Sequence, residues 1–180
     1  MKRSLIRYGL KTILALVLVV SASSLALTST THAGVPIPLK IINEHSNNVL
    51  SVSGADSQAD GALIVQYIDQ GADYQKWYLE NAENGYYNFR NIASGDLLDV
   101  NGGSSSDGAS VIQWPSNNGW NQQWELIPTG EENSYKIKNR ASGKLLDISG
   151  QDKTSGARAI QWSDNGGHNQ HWYIEYIRKN

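Results

Sequence analysis

Two hydrophobic regimes divide the chain. The first is an unbroken apolar run from Ile13 to Val20, preceded by Lys2, Arg3, Arg7 and Lys11 and followed by small residues that end in Thr31-His32-Ala33. A basic head, a short apolar stretch and small residues before a cut are the pattern of a secretory signal, with cleavage expected after Ala33. A retained membrane anchor is the alternative, but a spanning helix needs about 20 mostly apolar residues, and Ser21, Ser23 and Ser24 interrupt this run. In the second regime apolar residues come in short clusters bounded by Gly, Asn, Asp and Ser, which predicts short strands joined by turns, with no sustained helical period. Tyr135, Ile137 and Asn139 alternate with Lys136, Lys138 and Arg140, as in a half-buried strand.

These clusters repeat. Leu50, Leu98 and Leu146 lie 48 and 48 residues apart, and Trp77, Trp124 and Trp172 lie 47 and 48 apart. Asn91, Ser94-Gly95, Asp99, Gly108, Gln113-Trp114 and Asn121-Gln122 in the second copy return in register as Asn139, Ser142-Gly143, Asp147, Gly156, Gln161-Trp162 and Asn169-Gln170 in the third. The first copy keeps Leu50, Gly61, Gln66 and Gln75 but carries Ser51, Tyr67 and Tyr74 where the others have Asp, Trp and Asn. Four strands per copy predict twelve in all. Three units that cannot each bury an apolar face must pack on one another, and closure removes exposed sheet edges, so a pseudo-threefold all-β barrel is expected.

Three Gln-x-Trp motifs, Gln75 to Trp77, Gln122 to Trp124 and Gln170 to Trp172, carry a resemblance to ricin-type β-trefoil lectin domains, which is to say carbohydrate-binding module family 13. It covers about residues 36 to 180, with repeats at about 38–80, 86–127 and 135–177 in a single domain over 34–180. The resemblance implies a six-stranded barrel capped by three hairpins, Trp77, Trp124 and Trp172 in the core, and one potential sugar site per repeat. Asp99, Trp114, Asn121 and Gln122, with Trp120 at the rim, would form the second-repeat site. Asp147, Trp162, Asn169 and Gln170, with His168 in the place of Trp120, would form the third. The first, with Ser51, Tyr67, Tyr74 and Gln75, is expected to be weak or dead.

The residue types suit that chemistry. An aromatic face takes the apolar side of a pyranose, a carboxylate accepts from two adjacent hydroxyls, and an amide donates and accepts at once. Each also has a structural rival: the Asp and Asn residues as turn braces, and Trp114 and Trp162 as cover for the barrel.

Composition narrows the classes further. No cysteine means no disulfide, thiol nucleophile or zinc-thiolate site. Loss of the four basic residues of the signal leaves 11 Lys+Arg against 17 Asp+Glu, a net charge of −6 that repels nucleic acid. Six Trp and nine Tyr against one Phe favour wet binding surfaces. An exported chain without cysteine or an Asn-x-Ser/Thr sequon fits bacterial secretion. Acids such as Asp147 and Asp152 form no asymmetric catalytic constellation, and no cofactor motif occurs, which argues against catalysis. What the resemblance implies is then a secreted non-catalytic lectin for galactose-, xylose- or arabinose-type glycans. Separate secreted enzymes or toxin subunits are expected as further partners. A protein-binding β-trefoil, such as a protease inhibitor or toxin-complex subunit, is the rival class.

Overall fold

The computed structural model describes residues 36–54 and 58–178, so the expected signal segment lies outside the described residues. Repeat one supplies β1 (Leu39–Asn43), β2 (Val49–Val52), β3 (Ile64–Tyr67) and β4 (Trp77–Asn81). Repeat two supplies β5 (Tyr87–Asn91), β6 (Leu97–Val100), β7 (Val111–Trp114) and β8 (Trp124–Pro128). Repeat three supplies β9 (Ser134–Asn139), β10 (Leu145–Ile148), β11 (Ala159–Trp162) and β12 (His171–Tyr176).

Six of these strands close on themselves. β1 pairs with β4, β4 with β5, β5 with β8, β8 with β9, β9 with β12, and β12 returns to β1 with Leu39 opposite Tyr176 and Asn43 opposite Trp172, all antiparallel. The hairpins β2–β3, β6–β7 and β10–β11 cap one end and touch through bridges at Leu63–Ile112, Val65–Arg158 and Ser110–Ile160. This is the β-trefoil that the threefold repeat implies.

The Gln-x-Trp tryptophans fill the centre. Trp77, Trp124 and Trp172 are wholly buried, and each indole Nε1 donates to the carbonyl of Leu50, Leu98 or Leu146 at 3.0–3.1 Å, so no polar atom of the ring is left unpaired. The expected alternation holds only in part: along β9, Ile137 and Asn139 are buried but Tyr135 is half-buried. The hairpin strands β2, β6 and β10 do not alternate at all, because every residue in them is buried. Asp99 and Asp147 are the charged members of such strands, which makes them costly to place unless they do something there.

Repeats are also clasped by amides. Gln66, Gln113 and Gln161 are fully buried, and each Oε1 accepts from a serine hydroxyl of its own repeat: Ser46, Ser94 and Ser142 at 2.6, 2.8 and 2.7 Å. Each Nε2 crosses to another repeat, Gln66 to the carbonyls of Asp152 and Thr154, Gln113 to that of Ala59, and Gln161 to those of Ser104 and Ser106. Asn43, Asn91 and Asn139 reach in the same cyclic sense to the carbonyls of Asn169, Tyr74 and Asn121.

Candidate functional site

In repeat two the site is assembled from two strands and a 3-10 turn. Asp99 comes from β6 and Trp114 from the end of β7, while Asn121 lies in the turn Trp120–Gln122. Asn121 Nδ2 donates to Asp99 Oδ1 at 2.9 Å and to the Val100 carbonyl at 3.3 Å. With Asn101, Gly102, Gly103, Ile112 and Asn117, these three residues line a surface depression of about 450 Å³. Burial pushes the Asp99 carboxyl up to about 6, although hydrogen bonds from Gln122 and Asn121 pull the other way.

Trp114 is 42% exposed, and its Cζ3 lies 3.4 Å from where a β-carbon on Gly61 would sit. Backbone of repeat one therefore supports one edge of the indole and leaves a face to the depression. Gly61 suits the place twice over, by lacking a side chain and by its φ of +78°.

Gln122 sits beneath the site. It is fully buried, its Oε1 accepts from Asn117 N at 3.0 Å and its Nε2 donates to the Pro115 carbonyl at 3.0 Å. Asn117 Oδ1 in turn accepts from Gly119 N at 2.8 Å. The amide thus fixes the loop that delivers Asn121. A β-carbon on Gly119 would meet Asn121 Oδ1 at 2.3 Å, so a glycine there is what lets the asparagine fold back onto Asp99.

Repeat three copies most of this. Asp147 is 3% exposed and burial pushes its carboxyl up to about 6, with Gln170 and Asn169 opposing the shift and Asp107 adding to it. Asn169 Nδ2 donates to the Ile148 carbonyl at 3.0 Å, and its Oδ1 is buried without a hydrogen-bond partner. Gln170 accepts from Asn165 N and donates to the Ser163 carbonyl, as Gln122 does in its own loop. Trp162 is 40% exposed and rests against Gly108. It lines a depression of about 460 Å³ with Ser149, Ile160 and residues of the neighbouring hairpin, to which Asp147 and Asn169 do not contribute. Gln151 is a further departure from repeat two. It replaces Gly103 at φ 54° and brings its Nε2 within 3.5 Å of a β-carbon position on Gly167, at the entrance to the turn carrying Asn169.

Repeat one has the scaffold without the charge. Gln75 is fully buried and braces its loop through Gln70 N and the Ile68 carbonyl, both at 2.8 Å. Ser51 is buried and donates to the Val52 carbonyl at 3.1 Å, while Tyr74 turns its hydroxyl to Gln70 Oε1 at 2.6 Å. With Tyr67, they border a smaller depression of about 290 Å³.

Trp120 and His168, expected at the rims, are both exposed and both contact a side chain of the next repeat. The Arg140 guanidinium lies 4.4 Å from the Trp120 ring centroid and 4.6 Å from that of Tyr86, a cation held between two rings. Trp120 does not line the Asp99 depression. His168 Nδ1 lies 2.5 Å from Glu44 Oε1. The sequence reading also passed over Asn117 with Gly119 and Asn165 with Gly167, whose repetition in register was the available signal.

A family model described as ricin-type beta-trefoil lectin domain-like matches residues 18–114 and 120–180. The chain belongs to this family. Among solved structures, this lectin-like domain is similar to the designed threefold symmetric protein ThreeFoil, at 41% identity and a TM-score of 0.75, with 78% of this chain and 99% of that one covered. It is also similar to an exo-β-1,3-galactanase from Clostridium thermocellum, at 40% identity and a TM-score of 0.74; the match covers 78% of this chain and 30% of the enzyme's. The ricin B-like lectin of Macrolepiota procera, solved in complex with lactose, shares the fold at 24% identity and a TM-score of 0.68, over 82% of this chain and 100% of that one. No curated protein matches the chain.

Proposed function

We propose that this lectin-like domain is a secreted, non-catalytic glycan-binding protein with working sites in repeats two and three. The observation that carries the reading is the buried Asp99 carboxylate, held by Asn121 at 2.9 Å on the floor of a depression walled by the exposed Trp114. Burial of a lone carboxylate costs stability, and a sugar supplies what the protein does not: two adjacent hydroxyls to donate to it. Trp114 offers its face to the apolar side of the same ring, and Asn121 keeps Asp99 oriented. In repeat three, Asp147, Trp162 and Asn169 take the same roles, with Gln151 restricting access.

Gln122 and Gln170 serve the site by holding its loops. Galactose-, xylose- or arabinose-type glycans present the vicinal hydroxyls that this arrangement accepts. Galactose comes first, since the galactanase similar to this chain acts, by its name, on a β-1,3-galactan. Two sites on one rigid body give avidity toward a polymer, about 10² to 10⁴ over a single site where the spacing permits.

The test is retention of the mature chain, starting at Gly34, on a panel of plant polysaccharides and animal-type glycans, beside the double variant Asp99→Ala/Asp147→Ala. Retention by the native chain and loss in the folded variant support the reading. Undiminished retention by the variant overturns the site, and a folded native chain that binds no glycan favours a protein partner instead.

A further inference from the structure

At each junction between repeats, three equivalent positions face one another: the residue before the Gln-x-Trp Asn or Tyr, the middle residue of Gln-x-Trp, and the residue after Asn43, Asn91 or Asn139. Two of the junctions carry their own cation. Between repeats one and two, Lys76 Nζ pairs with Asp73 Oδ1 at 2.9 Å, beside Ile92. Between repeats two and three, Arg140 stacks on Trp120 and donates through Nη1 to Gln123 Oε1 at 2.5 Å.

The third junction differs. His168 and His171 meet Glu44, with Nδ1 to carboxylate distances of 2.5 and 3.2 Å and ring centroids 5.4 Å apart at 67°. Among the described residues no lysine or arginine pairs with Glu44.

We propose that Glu44, His168 and His171 bind a divalent transition-metal ion of the zinc class. One donor atom from each of the three residues lies within 4.8 Å of the others, so small side-chain adjustments bring all three around one ion. Two imidazoles with one carboxylate favour zinc, nickel, cobalt or copper over calcium and magnesium, which prefer all-oxygen shells.

The ligands also hang on a backbone that is already tied. Glu44 N donates to the His171 carbonyl at 3.0 Å, and Asn43 Nδ2 donates to that of Asn169 at 3.0 Å. Ser134 Oγ donates to Glu44 Oε2 at 3.4 Å, the kind of outer hydrogen bond that orients a ligating carboxylate. His171 turns its Nδ1 to the same carboxylate, so Nδ1 is the ring atom within reach of an ion held by Glu44. The His168 side chain is 64% exposed, which gives the ion an entry path and leaves water to complete its coordination. A bound ion would join repeats one and three at the turn that carries Asn169.

Untagged mature chain titrated with Co²⁺ and Zn²⁺ in the absence of sugar provides the test, so its result is independent of the glycan reading. One ion per chain is expected, with visible cobalt absorption, a thermal midpoint raised by several degrees and reversed by EDTA, and an affinity at least about tenfold weaker in His168→Ala or Glu44→Gln. His45→Ala, which lies outside the cluster, should bind as the native chain does. Absence of stoichiometric binding to the native chain at about 100 μM ion, or binding unchanged in folded His168→Ala, overturns the proposal.

Discussion

Repeats one and two share a scaffold and differ in chemistry. Both have a fully buried Gln of Gln-x-Trp that braces a loop by the same pair of hydrogen bonds, and both bury the tryptophan with its Nε1 on a leucine carbonyl. Yet only repeat two places a carboxylate on the floor of its depression; repeat one has Ser51, satisfied within its own strand, and a tyrosine whose hydroxyl is spent on Gln70. The residues that make the fold are therefore separable from those that make the site. Repeat three stands between: it has the carboxylate, but Gln151 stands where repeat two has Gly103.

The strongest way to break the comparison is to attack the shared scaffold. Trp124→Ala should cost about 3–5 kcal/mol of stability, read by urea unfolding, because it removes a wholly buried ring. Next comes the site itself. Loss of hydrogen bonds to a charged group, each about 1.5–3 kcal/mol, predicts that Asp99→Ala lowers affinity at the second site more than about 100-fold in calorimetric titration. Asp99→Ala/Asp147→Ala should then abolish retention, whereas Ser51→Ala should leave it unchanged.

Acid should reproduce a milder version of that loss. With Asp99 and Asp147 raised to about 6, glycan affinity should fall about tenfold by pH 5 as the acceptors protonate. The sugar-free fold should respond in the opposite sense. A carboxyl whose folded value is raised holds its proton more tightly when folded, so its stabilising contribution is full below about pH 4 and lost as pH rises through 6. Melting curves against pH, with and without sugar, test both signs. Gln151→Gly should change third-site affinity a few-fold if the amide restricts entry, as a binding isotherm on an Asp99→Ala background would read. The smallest expected effect is in repeat one: Ser51→Asp with Tyr74→Asn should give no detectable sugar binding, since Tyr67 and the narrower depression remain.

The repeat made the fold legible. Register across 48 residues located the tryptophans, the hairpins and Asp99 beside Asn121, because pseudo-symmetry forces equivalent residues into equivalent surroundings. Where the copies diverge, register says little. Arg140, which stacks on Trp120, and Glu44, which engages His168, occupy one equivalent position, yet neither contact follows from spacing. Gln122 and Gln170 illustrate another limit: sequence marks them as polar residues beside the site but does not reveal that each amide also braces loop backbone from both its ends.

The cyclic clasp of Gln66, Gln113 and Gln161 bears on how such a chain folds. Each link joins residues 54 to 88 positions apart, and the barrel closes by pairing β1 with β12, from opposite ends of the domain. Contacts this distant reward the chain only after long loops have closed, which slows folding and, once the ring is shut, leaves no terminal unit from which it can fray. The three repeats should therefore be lost in one cooperative step, and the ring has no necessary first member: a permuted chain opened in the Thr129–Asn133 turn would preserve every clasp.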